Sequence, residues 1–158
     1  MLDKFKKLPL RKGVGIILLN SENKVFVARR IDNPKDFWQM PQGGVDKNED
    51  FLTAALRELK EETSIENVEL IKELDGITTY ELPDNLLGII WKGKYRGQEQ
   101  KWFLMRFKGN ENEINLRTKH PEFLDWQWIE LDKITKYVVD FKLDIYEIIK
   151  NKVNKIIN

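Results

Sequence analysis

There is no cysteine in the 158 residues, and there is one histidine, His120. The first absence excludes disulfide frameworks, thiolate zinc sites, iron–sulfur clusters and a cysteine nucleophile. The second excludes a multi-histidine centre, so any metal must be held by oxygen. Serine is scarce as well. Ser21 and Ser64 lie in no motif that marks a nucleophile, no Gly-Lys-Ser/Thr phosphate loop exists, and Gly13-Val14-Gly15 lacks the third glycine of a dinucleotide-binding turn. Long apolar runs are missing too: Val14 to Leu19, broken by Gly15, is far short of the roughly 20 residues of a membrane-spanning helix. Met1 to Leu10 carries Lys4, Lys6 and Lys7 but no apolar stretch that would make a signal peptide. With 41% hydrophobic residues, no repeat and no Gly/Ser- or Pro-rich linker, the expectation is one soluble, cytoplasmic domain over residues 1–158.

The charges nearly cancel, 27 Lys+Arg against 26 Asp+Glu, but they are not mixed along the chain. Residues 46–75 form a local anion in which Asp46, Glu49, Asp50, Glu58, Glu61, Glu62, Glu66, Glu69, Glu73 and Asp75 face only Lys47, Arg57, Lys60 and Lys72. Residues 92–108 are the reverse, with Lys92, Lys94, Arg96, Lys101, Arg106 and Lys108 against Glu99, and residues 1–12 set Lys4, Lys6, Lys7, Arg11 and Lys12 against Asp3. An acidic cation site flanked by basic walls suits a phosphate chain.

Strands and helices interleave. Lys12–Leu19 and Lys24–Arg30, rich in Val, Ile and Leu, flank Asn20-Ser21-Glu22-Asn23 and predict a hairpin. Asp36–Val45, with Pro41 and Gly43-Gly44, reads as a loop. Phe51, Leu52, Ala55, Leu56 and Leu59 then mark one face of a helix capped by Asn48. Val68–Leu82, Leu86–Trp91, Gln100–Phe107 and Phe123–Leu131 read as strands, the last placing Leu124, Trp126 and Trp128 on one face, with Trp102 also expected in the core. Phe141–Ile156 has helical periodicity. The fold class is therefore α/β, with helices covering a mostly buried sheet.

The chemistry concentrates in Arg57-Glu58-Leu59-Lys60-Glu61-Glu62. Glu58, Glu61 and Glu62 stand three and four apart, so three carboxylates share adjoining helix positions where each like-charged pair costs a few tenths of a kcal/mol. A divalent cation reverses the sign of that cost, and hard oxygen ligands point to Mg2+ or Mn2+.

From Gly43 onward the spacing is Gly43, five residues, Glu49, seven residues, Arg57-Glu58-Leu59-Lys60-Glu61-Glu62, then Thr63-Ser64-Ile65. It resembles the Nudix box, G-x5-E-x7-R-E-U-x-E-E-x-G-U, at every fixed position but the last glycine, which is Ser64. The resemblance implies a Nudix fold, an α/β/α sandwich with a mixed sheet and a loop-helix-loop whose glutamates hold the divalent ions. It assigns Glu58, Glu61 and Glu62 to the metal, one of them a candidate base, with Glu49 and Arg57 orienting them. A side chain at the Gly position costs about 1 to 2 kcal/mol in the left-handed region, so a changed helix exit is expected at Ser64, with the ligands unaffected.

Further stretches extend the likeness along the chain, among them Arg11-Lys12-Gly13-Val14-Gly15, Trp38-Gln39-Met40-Pro41-Gln42-Gly43-Gly44, Tyr80-Glu81-Leu82-Pro83, Gly97-Gln98-Glu99-Gln100-Lys101-Trp102-Phe103 and Val138-Val139-Asp140-Phe141-Lys142. They resemble the bacterial RNA pyrophosphohydrolases and the related dinucleoside polyphosphate hydrolases. That resemblance implies that Glu122 reaches the metal from a distant loop, that Val139 and Phe141 hold a base, and that Arg11, Arg29 and Lys142 face phosphates; Tyr80 is a further candidate beside them. Asp140 places a negative charge in that base site and counts against tight RNA binding. The expected activity is metal-dependent release of pyrophosphate from the 5′-triphosphate end of RNA. Hydrolysis of a dinucleoside polyphosphate such as diadenosine tetraphosphate is the alternative, and a nucleotide-sensing regulator a weaker one. The expected partner is an RNA 5′ end or a dinucleoside polyphosphate, with no membrane and no DNA, and the number of subunits is left open.

Overall fold

Because Val14 and Ile16–Leu19 carry apolar side chains on both faces of one strand, that strand needs cover on both sides, and it has it. The computed structural model describes residues 2–32 and 35–158. Among them, eight strands form one sheet: β1 (Leu10–Leu19), β2 (Val25–Arg30), β3 (Trp38–Gln39), β4 (Gln42–Gly44), β5 (Val68–Glu73), β6 (Thr78–Glu81), β7 (Gly97–Phe107) and β8 (Phe123–Ile129). The spine runs β3-β2-β1-β7-β5, with β4 paired to β1, β6 to β7 and β8 to β2. At its centre β1 and β7 lie parallel in unbroken register from Leu10 opposite Gly97 to Leu19 opposite Arg106, a pairing that is buried on both faces as parallel strands usually are. After a short first helix, α1 (Leu2–Phe5), the chain has two long ones. Val14, Ile16 and Leu18 pack with Ala54, Ala55 and Leu59 of α2 (Phe51–Thr63). Ile17 and Leu19 pack on the other side with Ile145, Tyr146, Ile149 and Val153 of α3 (Leu143–Ile157). The result is the expected α/β/α sandwich with a mixed sheet. No helix among the described residues is long and apolar enough to cross a membrane.

Several local expectations are corrected. The cap of α2 is Asp50, whose side chain accepts the Thr53 N–H at 2.7 Å, whereas Asn48 takes a left-handed turn at φ 66 two residues earlier. Ser64 does not alter the helix exit: it adopts the left-handed conformation itself, φ 67 and ψ 6, and its N–H still bonds the Lys60 carbonyl. Its hydroxyl donates to the Asn115 carbonyl at 2.8 Å, a bond of about 1 kcal/mol that offsets the cost of a side chain there. The segment 68–82 is two strands separated by a turn at Gly76, φ 80, because both β5 and β6 pair with β7. The segment 86–91 is not a strand. Gly88, φ 82, has the Phe5 ring 2.8 Å from where a Cβ would stand, and the chain then makes a tight helical turn over Ile90–Gly93 with Trp91, Lys92 and Gly93 all left-handed. The loop 36–45 contains the short β3 and β4, and Leu124 is 59% exposed while Trp126 stacks on Phe26 at 5.6 Å between ring centres.

Gly15 marks where the sheet tolerates nothing larger. A Cβ there would penetrate the contact distance of the Trp102 ring, and that ring is pinned by its Nε1–H to the Thr78 hydroxyl at 2.8 Å. Gly15→Ala should therefore lose about 1 to 3 kcal/mol by overpacking, read as a lower urea midpoint at unchanged slope. An unshifted midpoint would show that Trp102 can yield.

Candidate functional site

The carboxylate-bearing face of α2 is organised around Arg57. Its Nε and Nη2 donate to the two oxygens of Glu49, both at 2.8 Å, Nη2 also reaches the Gly44 carbonyl at 2.9 Å, and Nη1 bridges Glu58 at 2.8 Å and Glu61 at 3.2 Å. This fork-to-fork contact fixes the loop 44–49 against the helix. The Arg57 bond, assisted by the Asp46 N–H, brings Glu49 down to about 2, and Glu49 and Glu58 together raise Arg57 further, so both stay charged. Gly43 is required beside them because the Glu58 carboxyl occupies the space a Cβ would need.

Glu62 lies one turn on, 3% exposed. Burial first, then the negative charges of Glu122 and Glu58, push its carboxyl well above the usual range, against the pull of Arg30 and of the Gln42 N–H. Burial also raises Glu58, the Arg57 bond opposing it. Glu122, 44% exposed, comes from the residue before β8 to within 3.9 Å of Arg30, and its field is felt at both Glu58 and Glu62. Glu58, Glu62 and Glu122 thus lie close enough for their charges to act on one another.

These groups fit a hard divalent cation. Glu62 Oε2 is buried with no hydrogen-bond partner, a state that costs free energy until something positive meets it. The carboxylates nearest it, Glu58 and Glu122, are of the ligand type that Mg2+-like ions take. Among the described residues no three acidic groups are already gathered as a cage. Glu58 and Glu61 are instead both engaged by Arg57 Nη1, and binding would draw one or both away from it.

Beside the carboxylates a cleft of about 690 Å³ opens, lined by Arg30, Gln42, Tyr80, Trp91, Phe141 and Lys142 among others. Tyr80 and Phe141 meet at 5.6 Å between ring centres, and Val139 adds an aliphatic wall. Lys142 is 7% exposed, its ammonium 5.7 Å from the Tyr80 ring centre and 5.9 Å from that of Phe141. Burial, and secondarily the charge of Arg30, lowers it to about 7. Burial also lifts the Tyr80 phenol to about 12.

Of the residues singled out in the sequence, Tyr80, Val139, Phe141 and Lys142 line this cleft. Arg11 stands at its rim, 5.1 Å over the Trp91 ring and donating to Gln98 Oε1 at 2.6 Å. Arg29 is not in the lining: it sits 5.6 Å over Trp38 and 3.6 Å from Asp36. Its neighbour Arg30 lines the cleft instead, bonded to Asp32 at 2.8 Å and facing Glu122. Arg30 and Trp91 were missed by sequence reasoning. Strand alternation at Arg29-Arg30 carried the first signal, while nothing short of the left-handed turn reveals the second.

Comparison with known proteins bears on the family and the fold. A family model described as the NUDIX domain matches residues 9–150. An RNA pyrophosphohydrolase of Pelagibacter ubique is 70% identical over 158 residues, covering all of both chains. One from Rhodospirillum rubrum is 50% identical over 140 residues, 89% of this chain and 84% of its own. Among solved structures, the E. coli dihydroneopterin triphosphate pyrophosphohydrolase superposes with a TM-score of 0.68 at 21% identity, covering 94% of this chain and 99% of its own, and a C. elegans Ap4A hydrolase with 0.61 at 21% identity, covering 91% and 94%. At those identities the likeness is one of fold.

The buried ammonium makes stability depend on pH. Lys142 binds a proton less readily when folded, about 7 against an ordinary 10.5, so between those values the unfolded chain holds more protons and stability rises with pH. Lys142→Met removes that rise. By urea denaturation the variant should be the more stable at pH 6, its advantage shrinking as pH approaches 10. A difference that stays constant with pH would contradict a titrating Lys142.

Proposed function

The chain belongs to the NUDIX family, and on that premise we propose that it removes pyrophosphate from the 5′-triphosphate end of RNA, leaving a 5′-monophosphate. The observation that carries this reading is the continuity of site and cleft. Arg30 and Gln42 line the cleft and also act on Glu62, so a base held by Tyr80 and Phe141 would send its phosphates past Lys142 and Arg30 toward the carboxylates. The full-length identity to an RNA pyrophosphohydrolase supports the choice of substrate.

Hydrolysis in this family generally uses divalent ions, here Mg2+ or Mn2+, with Glu58, Glu61, Glu62 and Glu122 the residues that would hold them. When bound, such ions supply charge for the polyphosphate and a water of lowered pKa. The rest belongs to the chain. Arg57 and Glu49 set the angle of the helix carboxylates, and Glu122, the more exposed of the buried group's neighbours, is the side chain best placed to accept the water's proton and pass it to solvent. Lys142, Arg30 and Arg11 offer cationic hydrogen bonds to the phosphates, and Phe141 offers a face to the base. Water adds across the bond between the α and β phosphates, pyrophosphate leaves, and the proton goes to solvent through the base.

Two outcomes test the reading. Glu62→Gln, which removes a buried carboxylate and so should leave the urea midpoint equal or higher, is expected to lower kcat on triphosphorylated RNA by a factor on the order of 10² or more. Near-normal turnover in the folded variant would remove Glu62 from the metal site. Phe141→Ala should raise KM for triphosphorylated RNA by about one to two decades, the worth of one stacked base, while kcat changes little. Diadenosine tetraphosphate run in parallel decides between the substrates: a higher kcat/KM than on RNA would make the dinucleotide the substrate of choice.

A further inference from the structure

Two basic stretches remain that the cleft does not use. Residues 4–7 carry Lys4, Lys6 and Lys7, and the turn after Trp91 carries Lys92 and Lys94, all five exposed. Far apart in sequence, they are brought to one edge. Arg96 donates through Nη1 to the Leu8 carbonyl at 2.6 Å, an 88-residue separation, and through its N–H to the Pro9 carbonyl at 3.1 Å, while the Phe5 ring packs on Gly88. We propose that this edge binds the single-stranded RNA that follows the 5′ end held in the cleft, an inference that rests on the RNA reading above.

The edge leads out of the cleft, since Ile90 and Trp91 line it and Lys92 comes next. None of the five lysines makes an ion pair among the described residues; of the nearby acids, Glu81 is engaged by Arg96 at 2.8 Å, leaving Asp3 and Asp84. Aromatic faces alternate with the cations. Trp91 lies under the Arg11 guanidinium, Tyr95 meets Trp91 edge-on at 6.2 Å, and Ile89 is 69% exposed beside them. Cations along a backbone path with rings for bases are the composition of a single-strand binding surface. The backbone is committed to this presentation: Trp91 and Lys92 hold φ 52 and φ 58, a conformation that bulky side chains seldom adopt and that persists where the surroundings impose it. A dinucleotide would end inside the cleft and never reach this edge, so the surface acts only on a polymer.

The test uses the whole chain and two charge-reversal variants, K92E/K94E and K4E/K6E/K7E. The probe for binding is an unstructured 5′-hydroxyl RNA of about 20 nucleotides, which has no phosphoanhydride bond to cleave, titrated by fluorescence anisotropy at several salt concentrations. Each reversal should weaken binding by about tenfold or more and flatten the salt dependence, by about 0.7 in the logarithmic slope for each phosphate that a lysine no longer neutralises. On a triphosphorylated dinucleotide kcat and KM should stay within about twofold of wild type, and on a triphosphorylated RNA of about 20 nucleotides KM should rise with kcat retained. Unchanged affinity for the 5′-hydroxyl RNA, or equal losses on short and long substrates, would overturn the proposal. Failure of the wild-type chain to cleave either triphosphorylated RNA would instead sink the function proposed above, since binding of the 5′-hydroxyl probe is read separately.

Discussion

One guanidinium holds the acidic end of the molecule together. Glu49, Glu58 and Glu61 all accept hydrogen bonds from Arg57, and so does the Gly44 carbonyl. Without it, carboxylates on adjoining helix positions would repel, and the loop that follows β4 would lose its tie to α2. Because the cation is shared, it also ranks the carboxylates. Glu49 is engaged by two bonds from Arg57 and is fixed in its anionic form. Glu62, beyond Arg57's reach, is left buried with one oxygen unpaired. The carboxylate least satisfied by the protein is thus the one with the most to gain from an incoming cation.

The same separation of roles extends into the cleft. Lys142 is buried against two aromatic rings, with no salt bridge among the described residues, and burial disfavours its charged form. A phosphate arriving there would add to the counter-charge of Glu62 and Asp32. The buried Glu62 and the buried Lys142 are carried by different elements, α2 and the turn before α3. What joins them is Arg30, which touches Asp32 and faces both Glu122 and Glu62.

Much of this was legible in the sequence. The periodicity of Phe51 to Leu59 and the apolar runs of β1 and β2 come from burial, which local pattern reports directly. The spacing of Glu58, Glu61 and Glu62 is a helical fact and carried the site with it. What escaped depends on contacts between distant segments. Ser64 keeps a glycine-like exit with the help of Asn115, in another part of the chain, whose carbonyl accepts its hydroxyl. Leu86 to Trp91 is apolar enough for a strand, but Gly88 and Phe5 fold it into a turn. Arg29 and Arg30 are alike in type, and only the pairing of β2 with β3 and β8 decides which one enters the cleft.

The parallel ladder at the centre has a bearing on how the chain comes to be folded at all. The strand that the core is built on, β1, is made before its long partner β7, which begins some 87 residues later. At about 5 to 20 residues per second, a ribosome would leave β1 waiting roughly 4 to 17 seconds for that edge to be filled. In the interval its available partners are β2, joined at Leu19 opposite Val25, and the three residues of β4. An apolar strand with one long unpaired edge is a template for association with other chains. The early hairpin and the short β4 cover only the opposite edge of β1, the one they keep in the finished sheet, so the edge that receives β7 stays open until β7 is made.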